Sequence, residues 1–300
     1  MVLNDFFKYI KAVGTGPKGN KDLSFDESKD MMNQILNKNI HSDMISAFLL
    51  GWRLKPESIE EFKGSLSAFD DYLIKTEIKN SIELGYPFDG KAKNPYLFPL
   101  IAKELKNTQL DLIVVGDELQ PAKNGVTTKD ICANISLNSN VHYFDRKDYF
   151  KELHDLTEIR MRLALRTGIN TLEKLPNITN SKYAITGVHH KPYVKKYNSI
   201  FADKYERFSL IQGNEGSPEL FSKGILWISE GGVTEEFTID PTFYGINLKK
   251  STKDITKEKS LEFLSNPSKE LLKLAKLNAA ILLFVSKKSK SVNEAYESLT

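Results

Sequence analysis

The densest run of chemically capable side chains is His189-His190-Lys191-Pro192-Tyr193-Val194-Lys195-Lys196-Tyr197. Lysines supply phosphate contacts, and tyrosine or histidine rings supply faces on which nucleobases stack. The run follows Tyr183-Ala184-Ile185-Thr186-Gly187-Val188, an apolar segment that reads as a buried strand. Ligands of open α/β sheets bind beyond the carboxyl ends of strands, so the place suits a binding site. The same residues also read as a plain surface helix, with Tyr193 and Tyr197 at i and i+4 anchoring it and the lysines solvated. A metal at His189-His190 is the weaker reading, because adjacent side chains point apart and no third ligand is evident.

Signatures of nucleophilic or nucleotide chemistry are missing from the sequence: it has no Gly-x-Ser-x-Gly, no P-loop and no Rossmann fingerprint. Val13-Gly14-Thr15-Gly16-Pro17-Lys18-Gly19 holds suggestive letters, but it follows a helical stretch. A helix C-terminus repels anions, so a glycine stop and loop is the better reading. Cys132 has no local partner and reads as a small core residue. A single cysteine forms no intrachain disulfide and suits a reducing compartment, so a cytoplasmic location is expected.

The 42 basic and 39 acidic residues leave a net charge of +3, which neither demands nor forbids an anionic partner. The longest apolar run, Ala279 to Val285 behind Leu277, is too short to span a bilayer and ends at Lys287, so no membrane association is expected. Met1 to Lys11 is amphipathic, carries Asp5 and lacks a small-residue cleavage site, which argues against a signal peptide.

These residues must be positioned by two kinds of structure. From residue 1 to about 75 the pattern is helical. Ser24 lies three residues before Glu27, the capping-box spacing, and Met31, Ile35 and Leu36 then share a face. Ser42 is placed to cap a second helix bearing Ile45, Phe48, Leu49 and Trp52, and Pro56 to open a third bearing Ile59, Phe62, Leu66, Phe69 and Leu73. After Glu77, strand-like segments at Leu110–Gly116, Tyr183–Val188 and Phe208–Gly213 alternate with helical stretches at Leu97–Leu105, Leu156–Leu175 and Pro192–Tyr205. Such alternation predicts a mainly parallel sheet covered by helices. Ile225–Ser229 and Glu235–Ile239 read as a hairpin or edge strands, Leu271–Phe284 as a terminal helix, and the lysine-rich Lys249–Lys259 as a solvated loop. The expected fold is α/β: a small N-terminal helical bundle domain (1–76) plus a larger α/β domain (77–300), with part of 154–176 able to pack on the helical domain.

Residues 22–73, from Leu23-Ser24-Phe25-Asp26-Glu27 to Ile45-Ser46-Ala47-Phe48-Leu49-Leu50-Gly51-Trp52-Arg53-Leu54-Lys55, resemble the N-terminal helical domain of the anthranilate phosphoribosyltransferases. The likeness continues at Leu163-Ala164-Leu165-Arg166-Thr167-Gly168-Ile169-Asn170, at Gly187-Val188, at Gly213–Leu220 and at Asn278-Ala279-Ala280. The resemblance implies a glycosyltransferase fold, a phosphoribosyl donor with magnesium, and a homodimer formed through the helical domain. The donor motifs, however, have changed. The family's Gly-Thr-Gly-Gly-Asp-Gly loop stands here as Gly85-Tyr86-Pro87-Phe88-Asp89-Gly90, where Pro87 removes one N–H and Phe88 adds bulk. Its basic Lys-His-Gly-Asn-Arg strand end stands as Val114-Val115-Gly116-Asp117-Glu118, and a carboxylate near a pyrophosphate opposes binding. Its metal-binding Asp-Glu pair falls at Pro218-Glu219, leaving Glu219 as the remaining metal candidate, with Glu215 nearby.

The losses resemble a divergent YbiB-type TrpD-like branch of this fold, which is associated with nucleic-acid binding. Asp89, Gly90, Lys91, Lys93, Lys123 and Gly125 are the expected remnants of an anion cradle. Arg160, Arg162 and Arg166, read as lying along one helix with the last two on one face, join Lys191, Lys195 and Lys196 as expected contacts to single-stranded DNA or RNA. Non-sequence-specific nucleic-acid binding is the first expectation. The alternative is a glycosyltransferase or phosphoribosyltransferase acting on another acceptor, with magnesium only where donor binding persists. No catalytic residue is assigned and no other cofactor is expected.

Overall fold

A computed structural model describes residues 5–38, 40–248 and 253–299. The chain forms two compact units: Met1–Ile74 with Gln120–Ala122 and Arg146–Pro176, and Lys75–Leu119 with Lys123–Asp145 and Asn177–Thr300.

The first unit is helical, with the main helices at Phe7–Gly14, Phe25–Leu36, Ser42–Leu54 and Ile59–Asp70. Ser24 and Glu27 close a capping box on the second of these. Two expected starts shift. Ser42 is the first helical residue of its helix, and the third expected helix is capped by Ser58 through a box with Glu61, two residues beyond Pro56. The core is aromatic: Phe6, Phe48, Trp52 and Phe62 form a chain of ring contacts with centroids 5.6–5.7 Å apart. Burying such rings is the main favourable term for a small bundle.

The stretch read as one helix from Leu156 to Leu175 is broken. Its first part, Thr157–Leu163, ends at Ala164 in a left-handed conformation (φ 57°), and a short turn of helix resumes at Ile169–Leu172. Between them Asn170 accepts the Thr167 N–H at 2.9 Å, as a capping side chain does.

The second unit is built on a seven-stranded sheet of order β3-β2-β1-β4-β5-β6-β7. The strands are β1 (Ser81–Gly85), β2 (Asp111–Gly116), β3 (Val141–Asp145), β4 (Tyr183–Gly187), β5 (Arg207–Ile211), β6 (Gly224–Glu230) and β7 (Val233–Ile239). The first five are mutually parallel, while β6 and β7 add an antiparallel hairpin turned by Gly231-Gly232, both at positive φ. Strand β1 and edge strand β3, the latter half-buried along most of its length, add to the strands expected from the sequence. Helix Lys269–Val285 covers the sheet with Leu274, Leu277, Ala280 and Ile281 in the core. The lysine-rich stretch departs from the expected loop at its end, where Thr256 caps a helix over Lys257–Ser265; Lys249 and Lys250 lie outside the described residues. Among the described residues no helix is long and apolar enough to cross a membrane.

Strand order reverses between β1 and β4, so the loops leaving their carboxyl ends diverge there. That divergence is where an open parallel sheet makes its crevice.

Candidate functional site

The loop after β1 is built from contacts within the chain. Gly90 has φ +77°, and a Cβ there would lie 2.4 Å from the Gly125 carbonyl carbon; a Cβ on Gly125 would lie 2.5 Å from the Lys91 nitrogen. Only two glycines let these backbones pass so closely. Beyond them Lys91 and Val126 exchange N–H···O=C bonds of 2.8 Å in each direction. Gly90 and Gly125, expected to receive phosphate, therefore serve the approach of one loop to the other.

Lys91 is also corrected. Its ammonium is fully buried, ion-paired with the Glu219 carboxylate, bonded to the Pro95 carbonyl at 2.8 Å, and set over the Phe221 and Tyr96 rings. Glu219 accepts further bonds from the Tyr86 hydroxyl and the Leu97 N–H, both at 2.6 Å. Burial, and then the Glu219 charge, holds the Tyr86 phenol well above its ordinary pKa. Tyr86, Tyr96 and Phe98 stack edge to face around the pair, filling the space with aromatic rings. Asn278 fixes the whole from below, accepting the Leu220 N–H at 2.8 Å and donating to the Leu220 carbonyl at 3.0 Å.

Glu215 engages the same loop differently. Its carboxylate accepts the N–H groups of Ala92 (2.6 Å), Lys93 (3.1 Å to each oxygen) and Asn94 (3.2 Å). Three successive N–H groups converging on one anion form a nest. Glu215 holds φ 59° and ψ 19°, which costs a non-glycine residue on the order of 1 kcal/mol. Lys123 braces it, with Nζ 3.0 Å from the Glu215 carbonyl and 3.4 Å from the buried Asp89 carboxylate. Lys93 directs its ammonium to Asp254 at 2.6 Å.

Magnesium needs several hard oxygen ligands in an open octahedron. Glu219 is buried with both oxygens engaged, Glu215 is held by the nest, and residue 218 is a proline. These residues do not fit a magnesium ion, and the expectation placed on Glu219 gives way to an ion pair. Among the described residues no group of three or more His, Cys, Asp and Glu side chains is placed to hold a metal. The end of β2 is acidic, as the sequence implies: buried Asp117 is followed by Glu118, whose carboxylate shares Lys129 with Asp145 at 2.8 Å each.

The three arginines lie in the helical unit and the three lysines in the α/β unit. Arg160 is buried, with its guanidinium on Glu173 at 2.6 and 2.8 Å, in a triad completed by Arg146. It is a structural cation, and a solvent-borne phosphate does not reach it. Arg162 is exposed and paired with Glu158; exposed Arg166 lies beyond the break at Ala164, so the two do not share a helix face.

The His189–Tyr197 run opens helix Pro192–Phe201 at the carboxyl end of β4. Val194 is buried and Tyr197 packs on Phe201, while Tyr193 is 51% exposed and His189, His190, Lys191 and Lys195 face solvent. Lys191 pairs with Glu236 at 2.7 Å, an exposed pair of little energetic weight. No acidic residue occupies the first turn. Sequence reading missed the nest, because consecutive N–H groups leave no side-chain signature. It also missed a basic cleft, lined by Arg207, Lys287, Lys288, Lys290 and Glu294 at the C-terminus of helix Lys269–Val285. Cations at that end offset the helix dipole, which accounts for them structurally.

A mainly parallel sheet whose order reverses between β1 and β4, in a chain with a separate helical unit, defines an α/β protein with a helical domain. Residues 7–72 match the helical bundle domain of a glycosyl transferase family. An uncharacterized protein of Aquifex aeolicus is 27% identical over 91% of both chains, and an anthranilate phosphoribosyltransferase of Saccharolobus islandicus is 24% identical over 92% of this chain and 86% of its own. Among solved structures, the anthranilate phosphoribosyltransferase of Thermus thermophilus superposes with a TM-score of 0.72 at 15% identity, covering 98% of this chain and 94% of that one. The Saccharomyces cerevisiae enzyme in complex with PRPP and Mg gives 0.75 at 15% identity over 98% and 93%. The chain has the anthranilate phosphoribosyltransferase fold, with a glycosyl transferase helical bundle domain at its N-terminal end.

Proposed function

We propose that this chain is a TrpD-like protein that does not transfer a phosphoribosyl group to anthranilate and that binds single-stranded nucleic acid without sequence preference. The observation that carries the first half is the Glu215 carboxylate, bonded to the N–H groups of Ala92, Lys93 and Asn94 in the loop where the resemblance puts the donor. Negative charge fixed there repels a pyrophosphate, and the residues present do not suit the magnesium that would offset it.

The second half rests on the His189–Lys196 segment. Lysines at a helix N-terminus are electrostatically unfavourable in isolation, and an incoming phosphate reverses that sign. Exposed Tyr193 beside Lys191 and Lys195 supplies the stacking face that single strands use. Exposed Phe7, Leu50 and Leu54 on the helical unit support a homodimer through that unit, to be read by light scattering.

The test is fluorescence anisotropy with a labelled single-stranded oligonucleotide across a salt series. Binding at low salt that falls steeply with added salt is expected. Absent or salt-independent binding would sink the nucleic-acid reading. A rise in melting temperature with phosphoribosyl pyrophosphate and magnesium, through preferential binding to the folded state, would restore the transferase reading.

A further inference from the structure

The geometry points to a latent oxyanion site at the backbone N–H groups of Ala92, Lys93 and Asn94, occupied by the Glu215 carboxylate and open to a phosphate group once that carboxylate is removed. The inference rests on the proposed closure of the donor loop and names what closes it. Four N–H···O distances of 2.6–3.2 Å describe a carboxylate seated as a ligand, so the nest's capacity for an oxyanion is already in use.

One further feature favours a phosphate over a carboxylate. Asn94 is 5% exposed, and its Nδ2 finds no hydrogen-bond partner among the described residues. A carboxylate offers two oxygens, both taken by the nest; a phosphate brings a third or fourth able to accept from that amide. The local cations are Lys123 and Lys93, and the carboxylates they meet, Asp89 and Asp254, are the groups that oppose a second anion.

The Glu215 backbone makes the site testable without unfolding the loop. At φ 59° glycine is more comfortable than glutamate, and asparagine tolerates that region better than most residues. Glu215→Gly therefore removes the carboxylate while easing the turn, and Glu215→Asn does so by a second route.

The experiment is calorimetric titration of the full chain and both variants with orthophosphate, with pyrophosphate and with a 5′-phosphorylated oligonucleotide, metal-free. The oligonucleotide is compared with its unphosphorylated form to separate a free phosphate from a nucleic-acid end. Both variants are expected to bind at least one phosphate probe roughly tenfold or more tightly than wild type, with the amide resonances of Ala92, Lys93 and Asn94 shifting on addition. A folded Glu215→Gly or Glu215→Asn protein that binds none of them overturns the inference and leaves the closed-loop reading standing. Wild type binding pyrophosphate as tightly as the variants overturns both.

Discussion

Two regions of this molecule each gather backbone and side-chain donors around a buried glutamate, and they differ in what the sequence discloses of them. In the helical unit Glu61 accepts from the Leu23 N–H (2.9 Å), the Ser58 N–H (2.8 Å) and the Trp52 indole (3.0 Å), and pairs with Lys55. In the α/β unit Glu219 accepts from the Leu97 N–H, the Tyr86 hydroxyl and Lys91. Both are fully satisfied, and a buried charge with all its partners is structure. Glu215, four residues before Glu219, differs from both: it is half-buried, strained, and holds main-chain donors that a free anion could take. Burial and satisfaction, more than the presence of a carboxylate, separate these two scaffold glutamates from Glu215.

The sharpest way to break that comparison is to orphan Glu219. Lys91→Ala leaves a buried carboxylate without its cation and is expected to destabilise by about 3–5 kcal/mol in urea denaturation. The double variant Lys91→Met/Glu219→Leu should recover most of the loss; failure to recover would mean the pair has a role beyond packing.

A third buried glutamate sharpens the contrast through pH. Glu83, central in β1, accepts from Asn177 and Tyr205, yet burial pushes its carboxyl up to about 7. The folded value lies above the ordinary 4.5, so the protonated form is favoured by folding. Its contribution is complete below pH 4.5 and is lost as pH rises through about 7, on the order of 3 kcal/mol across that window. Glu83→Gln should flatten the stability profile between those values in pH-dependent melts; an unchanged slope would assign it elsewhere.

Smaller effects follow at the surface of the comparison. Glu61→Gln keeps an acceptor for Trp52 but weakens the capping box and the Lys55 pair, and about 1–2 kcal/mol is expected from thermal denaturation. Replacing Lys191, Lys195 and Lys196 with alanine should change stability by less than about 0.5 kcal/mol. The same triple variant should flatten the salt dependence of oligonucleotide binding by roughly 0.7 for each phosphate that a lysine no longer neutralises. An unchanged salt slope would return these lysines to the role of solvated surface.

Much of the fold was legible. The Ser24–Glu27 box, the apolar face carrying Phe48 and Trp52, and the strand-like runs ending at Gly116 and Gly187 report local preferences, and local preferences survive folding. Strands β1 and β3 and the break at Ala164 were not legible, because the strands depend on pairing with their neighbours and the break on a side-chain cap that competes with continued helix. The site was less legible still. Lys91 and Arg160 look like phosphate ligands by type, and both are buried cations matched to glutamates 128 and 13 residues away in the chain.

By itself the sequence determined the helical N-terminal stretch and the alternation of strands and helices that follows it. Those are properties of residue type and spacing. Only the tertiary structure decided which charges remain open to solvent and which are consumed inside the chain, and that Ala92, Lys93 and Asn94 turn their N–H groups onto Glu215. The reason is physical: a charge's role depends on its partner and its exposure, and both are set by residues distant in sequence that folding brings within a few ångströms.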